Sequence, residues 1–166
     1  MKEEFDAINA PFEERGRVTD EYVNVMRELW SSKSPTYDGE YFSFKGANLE
    51  PKPYNGTVPI IVGGHSKAAA RRAGRIGDGF FPARGVPTDL FDLAKQTAEK
   101  HGRDPDALEF TVSIPENIEE LPKLGKVGVD RVLVPIIQMF GLKSGAASGP
   151  DDLARWAEII DQYRDA

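Results

Sequence analysis

Residues 59–81 constrain the fold of this chain more than any other segment, because they predict a strand, a turn, a helix and a second strand in succession. Residues 60–62 (Ile-Ile-Val) are a short apolar run, which is typical of a buried parallel strand. Two glycines then allow the backbone to turn, and Ser66 is a favoured helix N-cap. The alanine-rich residues 68–73 favour a helix that packs closely on a sheet. The segment therefore predicts one β–α–β unit.

The turn in this segment has the outline of a phosphate site. Gly63 and Gly64 lead directly into a helix N-terminus, where unpaired N–H groups and the positive end of the helix dipole favour an anion. We predict that the N–H groups of Gly64, His65 and Ser66 converge on one phosphate oxygen. The alternative is an ordinary strand-to-helix turn, since the sequence contains neither a Walker A motif nor G-x-G-x-x-G.

Composition excludes several classes of protein. The 166 residues, 40% hydrophobic and 29% charged, suffice for one domain with a core, and no apolar run approaches a membrane span. The start Met-Lys-Glu-Glu-Phe lacks the apolar core of a signal peptide, so we expect a soluble, cytoplasmic protein without a membrane partner. A net charge of −6 argues against nucleic-acid binding. With no cysteine and only two histidines, we expect no metal site.

Helical and strand-like segments alternate along the chain, which predicts an α/β fold with a parallel sheet. The strands of the sheet are predicted at residues 60–62, 79–81, 110–114 and 132–137. A further strand at 41–44 forms one arm of a hairpin-like insertion over residues 37–57. We predict that residues 1–166 form a single domain that includes this insertion. One helix is predicted at about residues 19–31, a second begins at Thr88 or Asp89, and a third has Pro122 in its first turn. A last helix follows Gly149, and one apolar stripe on it consists of Leu153, Trp156, Ile160 and Tyr163.

Ligands of parallel sheets bind at the carboxyl ends of the strands. We place Gly63 to Ser66, Asp78 and the residues that follow Ile114 and Ile137 at this edge. Asp78, between two glycines, is either a turn former or a residue that faces the ligand.

Six segments, in this order, together resemble the luciferase-like monooxygenase superfamily, particularly its deazaflavin (coenzyme F420)-dependent oxidoreductases. They are E-E-F-D-A-I-N-A-P-F-E-E-R-G, E-Y-V-N-V-M-R-E-L-W, Y-F-S-F-K-G-A-N-L-E-P-K-P, P-I-I-V-G-G-H-S, G-D-G-F-F-P-A and G-V-D-R-V-L-V-P. The resemblance implies a (β/α)8 TIM barrel that holds F420 or FMN at the carboxyl ends of its strands. It also implies that Gly63, Gly64, His65 and Ser66 lie near the cofactor phosphate, with Asp78 as a further cofactor-binding candidate.

The same resemblance implies that only part of the barrel is present. A Glu-Phe element like Glu4-Phe5 follows the fourth barrel strand in the family, so we expect strands five to eight, about four βα units of a partial barrel. Barrels of this type typically run to about 250 residues, with about 200 as the usual lower limit. Phe80 also stands where relatives commonly have tryptophan.

The partial barrel leaves the catalytic residues unknown, because the family draws many of its pocket groups from the first strands. His65 is a candidate base, although a lone histidine in a glycine turn is more often exposed or orients the backbone. Two hypotheses follow. Either the chain is an F420- or FMN-dependent oxidoreductase completed by a second copy or a separately encoded N-terminal half, or it is a non-catalytic, self-associating remnant that binds a phosphate ligand. In both we expect a homo-oligomer, with a dimer as the simplest form, and no turnover by the chain alone.

Overall fold

The computed structural model describes residues 1–115, 117–134 and 150–163. Two compact units divide the chain, Met1–Ile60 and Ile61–Ala166. The prediction that residues 1–166 form a single domain stays a prediction. In the described ranges, no helix is both long and apolar enough to cross a membrane.

The first unit contains two helices and a hairpin. Helix α1 spans Lys2–Ala7, and α2 spans Arg15–Ser31, so α2 begins before the predicted residue 19. Strands β1 (Thr36–Asp38) and β2 (Ser43–Lys45) pair antiparallel, which confirms a hairpin in this region. Sequence reasoning missed α1, a helix of only six residues.

A carboxylate of α2 shapes the hairpin turn. Glu21 is buried, and its Oε1 accepts hydrogen bonds from the backbone N–H groups of Tyr41 (2.9 Å) and Phe42 (2.7 Å). Its Oε2 accepts a third from the N–H of Glu40 at 3.0 Å. The predicted strand at 41–44 therefore begins only at Ser43, because Glu21 binds the N–H groups of the two preceding residues.

The second unit is built on a four-stranded parallel sheet. Its strands, β3 (Ile61–Gly63), β4 (Gly79–Phe81), β5 (Glu109–Ser113) and β6 (Arg131–Leu133), lie side by side in chain order. This confirms the α/β class, the parallel sheet and the four predicted strands. Their ends agree to within one residue, except that β6 ends at Leu133, before the predicted Ile137. The predicted end of the last strand at Ile137 lies outside the described residues, as does the loop 141–149.

The described residues of this unit contain four α-helices, α3 (Lys67–Ile76), α4 (Thr88–Lys100), α5 (Leu121–Lys126) and α6 (Pro150–Tyr163). Pro122 lies in the first turn of α5, as predicted. The predicted stripe on α6 is wrong at Ile160, which is 58% exposed, whereas Trp156 is buried against Ile114.

The core lies between one face of the sheet and helices α3 to α5. The inward side chains of the strands include Val62, Phe80, Phe110 and Val112. They meet small residues on the helices, such as Ala73 of α3 and Ala94 of α4, which are fully buried. The loops at the strand ends lie outside this core, where they can carry functional residues.

Candidate functional site

The turn between β3 and α3 is built around Ser66. Its backbone is extended (φ −145°, ψ 156°), and its Oγ accepts a hydrogen bond from the N–H of Ala69 at 3.2 Å. Its carbonyl oxygen accepts from the N–H of Ala70 at 3.0 Å, which begins the helical ladder. The predicted N-cap is therefore confirmed.

Gly64 is required by the conformation of this turn. Its φ is +138°, a region that favours glycine, and a Cβ added there would lie 2.9 Å from the Cβ of Ala69. Its N–H donates to the carbonyl of Phe81 at 3.1 Å. The prediction that this N–H faces an anion is therefore wrong, because it extends the pairing between β3 and β4 by one residue.

Four successive N–H groups remain for an anion at this turn, those of His65, Ser66, Lys67 and Ala68. No acceptor among the described residues binds them, and these four residues are exposed. They lie at the N-terminus of a ten-residue helix, where the dipole adds positive potential. We call residues His65 to Ala68 the anion cradle. Two of its members, Lys67 and Ala68, were missed from the sequence, although any residue one or two positions after an N-cap has an unpaired N–H.

The surroundings of the anion cradle suit a phosphate group. Lys67 brings a positive charge to the cradle, and residues 57–77 contain no aspartate or glutamate, so this segment places no carboxylate beside it. A Cβ built on Gly63, the last residue of β3, would meet nothing within 4 Å, so no described atom crowds this position. Exposed backbone donors at a helix N-terminus, with Lys67 among them, fit a phosphate.

Asp78 lies at the opposite edge of the sheet. It precedes β4, so it stands at the amino end of that strand, and its carbonyl accepts from the N–H of Glu109 at 3.1 Å. Its carboxylate lies 3.7 Å from Nη2 of Arg103, whose Nη1 donates to the carbonyl of Gly74 near the end of α3. The prediction that Asp78 lies with Gly63 to Ser66 at the carboxyl edge is therefore wrong, and it is not part of the anion cradle.

His65 is exposed, and no hydrogen bond to its imidazole is present in the described part of the chain. His101 is engaged at the end of α4, where its Nδ1 lies 2.8 Å from the carbonyl oxygen of Thr97. Among the described residues no group of three or more histidine, aspartate or glutamate side chains could hold a metal ion. His65 therefore lies beside the backbone donors, and no described contact orients its ring.

The sequence profile of the luciferase-like monooxygenases matches residues 1–120. The chain belongs to this family. Over 118 residues it is 34% identical to an F420-dependent glucose-6-phosphate dehydrogenase of Gordonia bronchialis, a match that covers 68% of this chain and 35% of that protein. An FMNH2-dependent dimethylsulfone monooxygenase of Pseudomonas fluorescens is 28% identical over 176 residues, 98% of this chain and 48% of its own length.

Two solved structures have a similar fold. An F420-dependent secondary alcohol dehydrogenase, in complex with an F420-acetone adduct, superposes with a TM-score of 0.55 at 27% identity, over 70% of this chain and 38% of that one. A monooxygenase from Streptomyces bottropensis gives 0.64 over 97% of this chain and 64% of its own, at 17% identity, which supports the fold alone. The chain thus spans between about a third and a half of the length of the curated relatives it matches.

Proposed function

We propose that this chain binds the phosphate group of F420 or FMN through the anion cradle and serves in a flavin- or deazaflavin-dependent oxidoreductase. The observation that carries this proposal is the set of four N–H groups at the start of α3 for which the described residues supply no acceptor. Relatives named for F420 and for FMNH2 support the choice of cofactor.

When bound, the cofactor would supply hydride transfer. The contribution of this chain is to hold the phosphate, since backbone N–H groups are fixed by the helix and lose little conformational entropy when they bind. Lys67 adds a charge beside its own N–H. Gly64 keeps the turn close to Ala69, where a larger side chain would displace the donors.

The alternative function is phosphate-ligand binding without catalysis. The exposed imidazole of His65 favours this alternative, because a histidine acts efficiently as a general base only when its accepting nitrogen is oriented toward the proton. The four described strands also supply half of the eight that enclose a TIM-barrel pocket. We therefore expect no oxidoreductase turnover by this chain alone with reduced F420 or reduced FMN, and turnover only when a first half of a related barrel is co-expressed. Robust turnover by the chain alone would contradict this expectation.

The binding proposal is tested by removing one N–H group without disturbing the helix. Lys67 is the first helical residue, where proline is well tolerated, and the preceding Ser66 already has the extended backbone that proline requires. Lys67→Pro deletes the N–H and the charge, whereas the matched Lys67→Ala deletes the charge alone. FMN and F420 are titrated into wild type and both variants, with circular dichroism as a check on helix content.

A hydrogen bond to a charged group contributes about 1.5 to 3 kcal/mol, so Lys67→Pro should weaken binding at least about tenfold beyond Lys67→Ala. Equal affinities for the two variants would exclude the backbone donor from the site. If the wild-type chain binds neither FMN nor F420, the proposal is refuted.

A further inference from the structure

A turn near the end of the first unit contains the one asparagine of this chain that is followed by a glycine. The carbonyl oxygen of Pro53 accepts a hydrogen bond from the N–H of Gly56 at 2.9 Å, so residues 53–56 form a β-turn. Gly56 ends the turn with a φ of +69°, a region that favours glycine. Tyr54 and Asn55 occupy the two central positions, and both residues are exposed. The turn thus presents an Asn-Gly pair at its tip.

The carboxamide of Asn55 and the backbone nitrogen of Gly56 are the two partners of a ring-closing reaction. When base removes the proton of the Gly56 N–H, the nitrogen attacks Cγ of Asn55. A new C–N bond forms, the bond from Cγ to Nδ2 breaks, and the departing nitrogen takes up a proton and leaves as ammonia. The product is a five-membered cyclic imide. Water then opens either carbonyl of the ring, which gives aspartate or isoaspartate, and no oxidant or reductant takes part.

The surroundings of Gly56 do not obstruct this ring closure. Glycine has no side chain beside the attacking nitrogen, and even a Cβ built on Gly56 would meet nothing within 4 Å among the described atoms. Tyr54 is fully exposed, so the turn projects from the described part of the first unit. Base and water therefore have access to both partners of the reaction.

One contact restrains the reaction. The Gly56 N–H that must lose its proton is also the donor of the turn hydrogen bond to Pro53. The imide nitrogen carries no hydrogen, so the closed ring and the turn hydrogen bond exclude each other. The turn must therefore open before the ring can close, and an exposed turn opens locally at a lower free energy than global unfolding.

We propose that Asn55 is a site of spontaneous deamidation, and that the β-turn of residues 53–56 sets the rate of the reaction. Either product adds one negative charge to the net charge of −6. The isoaspartate product also inserts one carbon into the main chain between residues 55 and 56, so the hydrogen bond from Gly56 to Pro53 loses its geometry. The modification therefore changes both the charge and the backbone of the segment that leads to β3.

Incubation of the full chain at mildly alkaline pH, followed by peptide mass spectrometry, tests the proposal. Asn48 is the matched control within the same chain, since it is exposed in the same unit and is followed by Leu49. We expect the Asn55 peptide to gain the mass difference between an amide and an acid at least about tenfold faster than the Asn48 peptide, because a leucine side chain hinders ring closure. Asn55→Gln should lose this rapid change, because its ring would have six members and closes more slowly.

Two further readouts distinguish the cyclic imide from direct hydrolysis of the amide. A protein isoaspartate methyltransferase should label incubated wild type but not incubated Asn55→Gln, since isoaspartate arises only through the imide. Concentrated urea should raise the rate at Asn55, because it removes the hydrogen bond between Gly56 and Pro53. Equal rates at Asn55 and Asn48, an aspartate product without isoaspartate, or a rate that urea leaves unchanged would each overturn the proposal.

Discussion

Gly74 is the position where one added methyl group should have the clearest effect on stability. It lies on α3 where this helix meets α4, and it is buried. A Cβ there would collide with the carbonyl oxygen of Ala94 and would lie 2.8 Å from Cβ of Thr97 and 3.0 Å from the backbone N of Ala98. Because two of these three atoms belong to the backbone of α4, no change of rotamer relieves the collision. The helices must move apart in Gly74→Ala.

The magnitude follows from two opposing terms. Overpacking of a well-packed contact costs about 1 to 3 kcal/mol. Replacing glycine by alanine inside a helix returns about 1 kcal/mol through a lower backbone entropy cost. Since the collision is with backbone, the cost should lie toward the upper part of its range. We therefore expect Gly74→Ala to lower the free energy of unfolding by about 1 to 2 kcal/mol.

Gly125 provides the matched control. It lies inside α5, and a Cβ there would meet nothing within 4 Å, so Gly125→Ala should keep the helical gain of about 0.5 to 1 kcal/mol without a collision. Urea denaturation followed by circular dichroism at 222 nm measures both variants. Opposite signs support the packing described for α3 and α4. A Gly74→Ala protein that is as stable as wild type would refute the reasoning.

Three further predictions concern single side chains, each of which makes hydrogen bonds inside one of the two units. Ser66→Ala should cost about 1 kcal/mol in urea denaturation, because the N–H of Ala69 loses its cap, and Ser66→Thr should retain most of it. Asp130→Ala should cost about 1 to 3 kcal/mol because the buried N–H of Phe110 loses the carboxylate at 2.8 Å, with Asp130→Asn as the milder control. Glu21→Ala should expose the amides of residues 40–42 to faster hydrogen exchange than Glu21→Gln does, since the amide oxygen still accepts. If the two variants of a pair behave alike, that result contradicts the hydrogen bond on which the pair was designed.

Local patterns predicted the sheet well, because each parallel strand is a short apolar run bounded by turn residues. Residues 79–81 form β4 as predicted, and Ser66 caps α3 as its position after two glycines indicates. A strand that is buried on one face and followed by a helix leaves few alternatives at the level of sequence.

Contacts between distant residues could not be read from the sequence. The N–H of Gly64 is bound by Phe81, a residue on another strand, so its direction depends on pairing that no local motif encodes. Asp78 is different, because it directly precedes the strand predicted at 79–81, so its place at the amino edge already followed from that prediction. Glu21 was missed because its three partners lie 19 to 21 residues away.

The most direct test of the proposed site is an amide-resolved NMR titration of the full chain with FMN, F420 and inorganic phosphate. The account predicts that the amide resonances of His65, Ser66, Lys67 and Ala68 shift together and saturate with one affinity for each ligand. The amide of Glu109, which is bonded to the Asp78 carbonyl at the opposite edge of the sheet, should stay unchanged. Shifts that cluster around Asp78 and Glu109, or that leave residues 65–68 unchanged while a cofactor binds, would contradict a phosphate site at the start of α3.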